Sequence, residues 1–573
     1  MAEFDVMIKG GTVFDGRRNP RFSGDVAVKD GRIAALGRLR ASDAKRVIDA
    51  SGLMVAPGFV DMHTHYDSQL FWDPYCSPSG WHGITSVVIG NCGFGFAPVR
   101  PEGRDRAMLS MTRNEAVPLA CMQQGMPWDW VTFPEFLDSV DRTPKSVNVL
   151  SFVPISPLMV WVMGLERAKA GELPTDAEHA EMCRVLSEAM DAGASGVSAQ
   201  RMGEESRQRD YDGTPMVSDL MHDETMLALA DVLADRNDGV IQYTYIDFSV
   251  LYGDTEGTVK RVRPHIEAVA RRSGRPTIVG GANEADPAWL AACRQQALSI
   301  YGMGTVNTIV RHPRIGVIAD NPQAFDISLK WCAATAGTHE TIRENLANPK
   351  VRASMRSELP QIEDFLGKME TWVIAGGTKS AFEEMPLGQI APTMRIDDLL
   401  DAFCEINLAD DLRTKWAFPT PRGEFMADTL ETHKAIAASP YMIPGISDGG
   451  AHTKTSVGAD YSTLYLTQYV RTHGWHDLEE AHWRLSGLPA HCAGIHDRGV
   501  IAEGAAADIV VYDFENLEVT ARETVHDYPG NEWRLVDHGK GYRNVLVNGE
   551  ITIEDDVQTD IASGRLLRNG RAT

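Results

Sequence analysis

The sequence lacks the features that mark several protein classes. It has no C-x-x-C pair, no Lys/Arg-rich run, and no apolar run of the roughly 18 residues that a membrane span needs. Its eight cysteines are scattered along 573 residues, which excludes a small disulfide framework and favours a reducing compartment. Residues 1–5 are acidic where a signal peptide is basic. We therefore expect a soluble, cytoplasmic protein.

Positive charge is also scarce. The chain has 55 Lys and Arg against 79 Asp and Glu, a net charge of −24. Such a surface repels phosphate backbones and anionic lipid, so we expect no nucleic-acid partner and no membrane partner. The 43% hydrophobic and 23% charged fractions are near globular averages. A folded chain with a large core is expected.

Both ends of the chain have the pattern of short strands. Alternating apolar residues at 5–9, 12–14 and 25–28 are followed by Gly10-Gly11, Asp15-Gly16 and Asp30-Gly31, which predicts hairpins. The same pattern returns at 507–512 and 544–550. The two ends therefore frame a middle of a different kind.

In the middle, helices alternate with apolar strands. Thr175 and Glu178 form a capping box at the start of a helix predicted to reach Gly193, and a helix around Trp289 is predicted to reach Gly302. Repeated helix–strand units predict an α/β protein with a parallel sheet. Their number favours an eight-stranded barrel over an open sheet, although periodicity alone does not decide. Predicted strands include 195–198, 240–245, 277–279 and 306–310.

The most informative motif is an H-x-H at the end of a strand. Side chains alternate along a strand, so His63 and His65 point to the same side and can share one divalent metal. The apolar residues before them place the pair at a strand's C-terminal end, where barrels carry their active sites. The surrounding sequence, P-G-F-V-D-M-H-T-H at 57–65, resembles the signature of the amidohydrolase superfamily.

This resemblance runs along the whole chain and implies a metal-dependent hydrolase on a (β/α)8 TIM-like barrel. The implied organisation is a small β-sandwich built from residues 1–55 and 496–573, the latter including a C-terminal tail. The catalytic barrel would span 56–495, with a polar, helical insertion at about 311–437. Relatives often form homo-oligomers, and the sequence does not select an oligomeric state.

Within the superfamily, the chain is most similar to the N-acyl-D-amino-acid deacylase branch. G-N-C-G at 90–93 matches the branch motif, which implies that Cys92 is a metal ligand. The S-D-G run at 447–449 implies that Asp448 binds the metal and acts as general base and acid. His452, four residues later, is a candidate donor to an oxyanion or a substrate carboxylate.

The chain departs from the branch at two metal-ligating histidines. Thr244 stands about where the fifth strand carries one, and Gly280 or Gly281 where the sixth strand does. His63, His65, Cys92 and Asp448 remain, which predicts one divalent ion, Zn²⁺, rather than two. We assign substrate binding to His452 and to two residues near these strand ends, Tyr245 and Asn283.

A third departure concerns the substrate's α-carboxylate. The branch holds it with an arginine downstream of the S-D-G aspartate, where this chain offers Lys454 and no arginine. Hydrolysis of an amide C–N bond in a small N-acyl compound is the expected reaction. Hydrolysis of an ester, lactone or C–C bond, or a lyase reaction, would use the same site. A non-catalytic scaffold that has lost its metal is the alternative from a different class.

Overall fold

The computed structural model describes residues 2–204, 206, 208–245, 255–281, 286–309, 314–377, 382–419, 430–568 and 571–572. Within them, no helix is both long enough and apolar enough to cross a lipid bilayer. All eight cysteines are free thiols.

The two chain ends meet in one nine-stranded sheet. Strand Ile509–Tyr512 joins the ends by pairing with both Met54–Pro57 and Tyr542–Val547. The Asp30-Gly31 turn closes the predicted hairpin, with Lys29 opposite Arg32. The other members of the sheet are Phe4–Val13, Phe22–Lys29, Arg32–Gly37, Ala44–Asp49, Glu550–Glu554 and Val557–Gln558.

The predicted turn at Gly10-Gly11 is wrong. One strand, Phe4–Val13, runs through both glycines, and its pairing with Phe22–Lys29 shifts between Ile8 and Gly11. Gly10 has φ +71°, which a glycine adopts without strain, and its N–H donates to Asp25 Oδ1 (2.9 Å). The glycines therefore make a bulge rather than a chain reversal.

Parallel strands form two further sheets in the middle of the chain. The first contains Phe59–Asp61, Ile84–Ile89 and Asn148–Ser151. The second sheet begins at Val153, two residues after the first sheet ends. Its strand order is Met442–Gly445, Ile300–Thr305, Thr277–Gly280, Val240–Thr244, Gly196–Gln200 and Val153–Pro154.

Helices connect these strands, as the helix–strand alternation predicts. Thr175 caps Asp176–Asp191 through the predicted capping box with Glu178. The other connecting helices are Arg104–Glu115, Leu119–Gly125, Phe133–Arg142, Ile155–Met163, Leu165–Lys169, Asp223–Arg236, Thr255–Ser273 and Asp286–Gln295.

The strand predicted at 306–310 is wrong. The strand is Ile300–Thr305, and Asn307–Ile309 forms a 3-10 turn. Gly302 was interpreted as the end of the preceding helix, but that helix ends at Gln295 and Ala297 takes a positive φ of 60°. Gly302 lies inside the strand, where its neighbours are buried. The strand glycines Gly10, Gly11 and Gly302 thus give misleading signals for a turn or a helix end.

The region between the last two parallel strands has a hydrophobic core of its own. Trp331, Trp372, Phe403 and Trp416 are buried at its centre. The sequence predicted helices here, but it did not predict the antiparallel sheet Arg314–Gly316, Lys415–Phe418, Val373–Gly376. The helices are Leu329–Ala334, His339–Ala347, Pro349–Ser357, Leu359–Leu366, Leu387–Thr393 and Leu399–Ala409.

After this region the chain returns to the parallel sheets through Leu430–Ala438. Helices Tyr461–Leu464, Leu478–His482 and Leu488–Cys492 follow, with π-helical turns at Tyr465–Thr472 and Trp483–Gly487. Asn148 Nδ2, at the start of a parallel strand, donates to Asp508 Oδ2 beside the chain-end sheet (2.9 Å). The division into domains at 55 and 495 stays a prediction.

Candidate metal centre

The strand ends bring the predicted metal ligands together. His63 and His65 follow Phe59–Asp61, and Cys92 follows Ile84–Ile89. Asp448 follows Met442–Gly445. All four lie just beyond the C-terminal ends of parallel strands, as the sequence predicts.

Hydrogen bonds between the first and last of these segments hold the two sides of the site together. Asp448 N–H donates to the carbonyl of His63 (3.2 Å), and His65 N–H donates to the carbonyl of Gly449 (2.7 Å). Asp448 and Cys92 have left-handed backbones, with φ values of 48° and 58°. This conformation is uncommon outside glycine.

Three donor atoms form a compact cluster. Cys92 Sγ lies 3.3 Å from His63 Nε2 and 3.7 Å from His65 Nε2. All three atoms lie within 4.8 Å of one another. In a tetrahedral zinc site with the usual bond lengths, a sulfur and a nitrogen ligand are about 3.5 Å apart. The observed distances lie on either side of that value, so the cluster has the dimensions of a metal site.

The two imidazoles are in the form that binds a metal. Burial lowers the pKa of His63 to about 3 and that of His65 well below its ordinary value. Both rings are therefore neutral at pH 7. Burial also raises the pKa of the Cys92 thiol well above its ordinary value, and the charges of Glu115 and Asp448 raise it further.

Asp448 lies at the open side of this cluster. Its Oδ1 is 3.4 Å from His63 Nε2 and 3.8 Å from His65 Nε2, and its side chain is 30% exposed. Loss of hydration raises its pKa to about 7. The carboxylate can therefore contact both the cluster and a small molecule that enters from solvent.

The positions of the missing histidines carry different contacts. Thr244 Oγ1 donates to Cys92 Sγ (3.0 Å) and accepts from Gln242 Nε2 (3.0 Å). At Gly280, a Cβ would lie 3.4 Å from His63 Nδ1. The ends of the fifth and sixth strands therefore supply a hydroxyl and a glycine packed against His63 rather than two imidazoles.

Sequence reasoning missed a fifth polar group, Glu115. Its Oε2 lies 3.7 Å from His65 Nε2 and 3.5 Å from His452 Nε2, and its carbonyl accepts from His452 N–H (2.5 Å). Glu115 is 2% exposed and ends the helix Arg104–Glu115. A carboxylate in the last turn of a helix opposes the helix dipole, and that misplacement is the signal that could have identified it.

Three carboxyl groups lie around the cluster without a basic partner among the described residues. Asp67 is buried beside the same loops, and burial raises its pKa to about 7. Burial raises the pKa of Glu115 well above its ordinary value, with Asp448 and Asp67 adding to the effect. In the described ranges, no Lys or Arg forms an ion pair with Asp67, Glu115 or Asp448. Such a site fits a bound cation.

The predicted substrate-binding residues have different surroundings. His452 contacts Glu115 near the cluster, and burial lowers its pKa to about 4. Tyr245 is 1% exposed within the main hydrophobic core, and its N–H donates to the carbonyl of Gly280 (3.1 Å). Asn283 lies outside the described residues. The substrate-binding roles of all three stay predictions.

Lys454, in the segment where the resemblance implies a carboxylate-binding arginine, is already paired. Its Nζ donates to Asp320 Oδ2 (2.8 Å) and Glu532 Oε2 (2.6 Å), and the side chain is fully buried. Two carboxylates thus neutralise the ammonium. This lysine anchors the loop after Asp448 and is unavailable to a substrate carboxylate.

A structural role for Lys454 has a measurable consequence. We expect Lys454→Met to lower the free energy of unfolding by about 3 kcal/mol, because it leaves the largely buried Asp320 carboxylate without the ammonium it pairs with and leaves Glu532 with Arg413 alone. Thermal and urea denaturation measure this, with the exposed Lys434→Met as the control. A Lys454→Met protein as stable as the control would contradict this role.

Comparison with known proteins agrees with this geometry. A family model described as the amidohydrolase family matches residues 46–245 and 398–553. The chain belongs to the amidohydrolase family. Members related over their full length include the N-acyl-D-glutamate deacylase of Alcaligenes xylosoxydans xylosoxydans, 28% identical over 99% of this chain and 97% of that protein. The D-aminoacylase of the same organism is 26% identical, over 98% of this chain and 97% of that protein.

A solved structure extends the comparison to the fold of this amidohydrolase. The N-acyl-D-glutamate deacylase of Bordetella bronchiseptica, complexed with zinc and a phosphonate inhibitor, matches with a TM-score of 0.66 at 22% identity. The match covers 99% of this chain and 100% of that one. The likeness implies a TIM barrel with an additional domain. The resemblance to the deacylase branch is confirmed, and the protein is a hydrolase that acts on amide C–N bonds.

Proposed function

We propose that this amidohydrolase is a mononuclear, metal-dependent deacylase that cleaves the amide bond of a small N-acyl amino acid. The observation that carries the proposal is the cluster of Cys92 Sγ with two Nε2 atoms, beside the carboxylate of Asp448. The names of two full-length relatives, D-aminoacylase and N-acyl-D-glutamate deacylase, support the substrate class.

His63, His65 and Cys92 would hold the metal, with Asp448 as a further ligand. Two imidazoles and a thiolate suit zinc better than magnesium or calcium. When bound, the ion supplies Lewis-acid activation of a water molecule and of the substrate carbonyl. Because Thr244 and Gly280 stand at the other two positions, we propose one ion per chain.

The residues of the chain supply the proton transfers. In this proposal Asp448 accepts a proton from the attacking water at Oδ1, and the same oxygen returns it to the leaving nitrogen. Its side chain is 30% exposed, so in this proposal it can contact a substrate that enters from solvent. His452 Nε2, held near Glu115 Oε2, would donate to the carbonyl oxygen as negative charge develops there.

The eight parallel strand positions close into one barrel in this proposal. Asn148–Ser151 and Val153–Pro154 are separated by one residue and connect the two parallel sheets. At the opposite edges, Thr64 forms an isolated parallel bridge with Gly449. Closure would place all four proposed ligands around one mouth.

The decisive experiment combines a metal assay with product analysis. Purified protein is stripped with a chelator, reloaded with Zn²⁺ and incubated with N-acetyl-D-amino acids and their L-enantiomers. We expect release of free amine from the reloaded protein and not from the stripped protein. Turnover only of esters or lactones would favour the alternative hydrolase. Products that contain no added water would favour a lyase, and failure to take up metal would favour a scaffold.

Replacing Cys92 tests the ligand set. We expect Cys92→Ala to weaken Zn²⁺ binding at least about tenfold, because it removes a thiolate from a three-donor cluster. Competition with a chromogenic chelator measures the affinity. Cys183→Ala is the matched control, because Cys183 is a half-buried free thiol on helix Asp176–Asp191. Equal Zn²⁺ affinity in the two variants would mean that the Cys92 side chain contributes to packing and does not bind the metal.

A further inference from the structure

An apolar pocket of about 300 Å³ lies beside the proposed metal centre. Its walls come from the loop after Cys92, the first turns of Arg104–Glu115, and helix Ile155–Met163. This volume lies at the lower end of the range for small-molecule sites. Its apolar lining includes Phe94, Val99, Met111, Val160, Trp161 and Met216.

The inner wall of the pocket packs against the metal cluster. Phe94 and Met216, both part of the lining, pack with Cys92 in one small hydrophobic cluster. The Phe94 ring also stacks on His65, with centroids 6.0 Å apart and planes 12° apart. The pocket and the cluster therefore share the wall made by Phe94 and Met216, and an acyl chain that extends from a carbonyl at the cluster into the pocket would lie against this wall.

Of the three charged side chains in the lining, Arg100 and Glu102 are exposed and Arg106 is ion-paired. Arg106 forms an ion pair with Asp210, which Lys169 also contacts (3.0 Å). Arg100 is exposed at the rim, where its guanidinium stacks 4.1 Å from the Trp161 ring and donates to the Trp161 carbonyl (3.0 Å). The wall between the rim and the cluster thus suits an uncharged group, since an unpaired carboxylate there would lose its hydration.

We propose that this pocket binds the acyl group of the substrate, and that the preferred group is a medium-length aliphatic or arylacetyl chain rather than formyl or acetyl. The inference rests on the proposed deacylase function. The amino-acid half carries a carboxylate, so it faces the solvent side near Asp448. A chain of about six carbons lies against the apolar wall and displaces water from it.

Acyl-chain length is the first test. N-acetyl and N-hexanoyl derivatives of one D-amino acid are compared by kcat/KM. Each buried methylene should raise kcat/KM about fourfold. We therefore expect kcat/KM of the hexanoyl compound to exceed that of the acetyl compound at least about tenfold. Hydrolysis of both compounds without a preference would overturn the pocket assignment and leave the deacylase function intact. Hydrolysis of neither would count against the deacylase function itself.

The second test fills the pocket with a larger side chain and measures ligand binding, so its first readout does not depend on turnover. Ala107 lines the pocket, whereas Asp105 on the same helix is exposed. Calorimetry with hexanoate should show binding that Ala107→Trp weakens at least about tenfold and Asp105→Trp leaves unchanged. The preference for the hexanoyl compound over the acetyl compound should fall towards one in Ala107→Trp only. Equal hexanoate affinity in the two variants would overturn the proposal.

Discussion

Replacing Asp448 by asparagine is expected to lower kcat about a thousandfold while the protein stays folded. The amide of asparagine cannot accept a proton from water or return it to the leaving nitrogen, and general acid–base groups contribute about 10²- to 10⁴-fold. Asparagine is the appropriate replacement because Asp448 has a φ of 48°, which asparagine tolerates better than alanine does. Steady-state kinetics on the reloaded enzyme measure the effect.

Ser447→Ala is the matched control for this variant. Ser447 Oγ donates to the carbonyl of His63 (3.2 Å), so its loss disturbs the same loop without removing the carboxylate. We expect less than about tenfold loss in kcat for Ser447→Ala, and similar melting temperatures for both variants. An Asp448→Asn enzyme with activity near that of the control would contradict the proposed mechanism.

Metal removal should have an effect of similar size. We expect chelated protein to lose at least about a thousandfold in activity, since several kcal/mol of transition-state stabilisation come from the ion. As Zn²⁺ is added, activity should rise until about one equivalent per chain is present and then stay level, which gives the titration curve a break near one equivalent. The structural reason for this break is that Thr244 and Gly280 supply no imidazole at the ends of their strands, where Thr244 Oγ1 instead contacts Cys92 Sγ.

The stoichiometry can be tested by introducing histidines at positions 244 and 280. Thr244→His combined with Gly280→His places imidazoles at the ends of the fifth and sixth strands, and the break should move to about two equivalents. Thr244→Ser with Gly280→Ala is the control, because it changes the same positions without adding ligands. A break at two in the unmodified protein would contradict the mononuclear proposal.

The site was predictable where one segment determines its own geometry. The strand ends at Asp61, but Thr64 forms an isolated parallel bridge with Gly449, and the extended alternation puts His63 and His65 on one side. Placing Cys92 and Asp448 beside them rested instead on the family resemblance, because nothing in G-N-C-G or S-D-G specifies a partner. The 3.3 Å and 3.4 Å contacts of these two residues with His63 join segments that are distant in the sequence.

Glu115 shows the limit of local reasoning. It ends a helix in the connection between two strands, and its contact with His65 depends on how that connection folds over the strand ends. Lys454 shows the same limit in the opposite direction. Its segment is where the resemblance implies a carboxylate-binding arginine, but the acidic residues that neutralise Lys454 come from two other parts of the chain and could not be identified from that segment.

The pairing of the first and last parallel strands also determines when the centre can form in the cell. His63 and Ser447, which are hydrogen-bonded, are separated by 384 residues. At about 5 to 20 residues per second, a ribosome needs roughly 20 to 80 seconds to translate that interval. During this time the nascent chain carries both imidazoles and the Cys92 thiol without the Asp448 carboxylate. In the proposed mechanism, full metal retention and activity require Asp448 and are therefore acquired only after it has been translated.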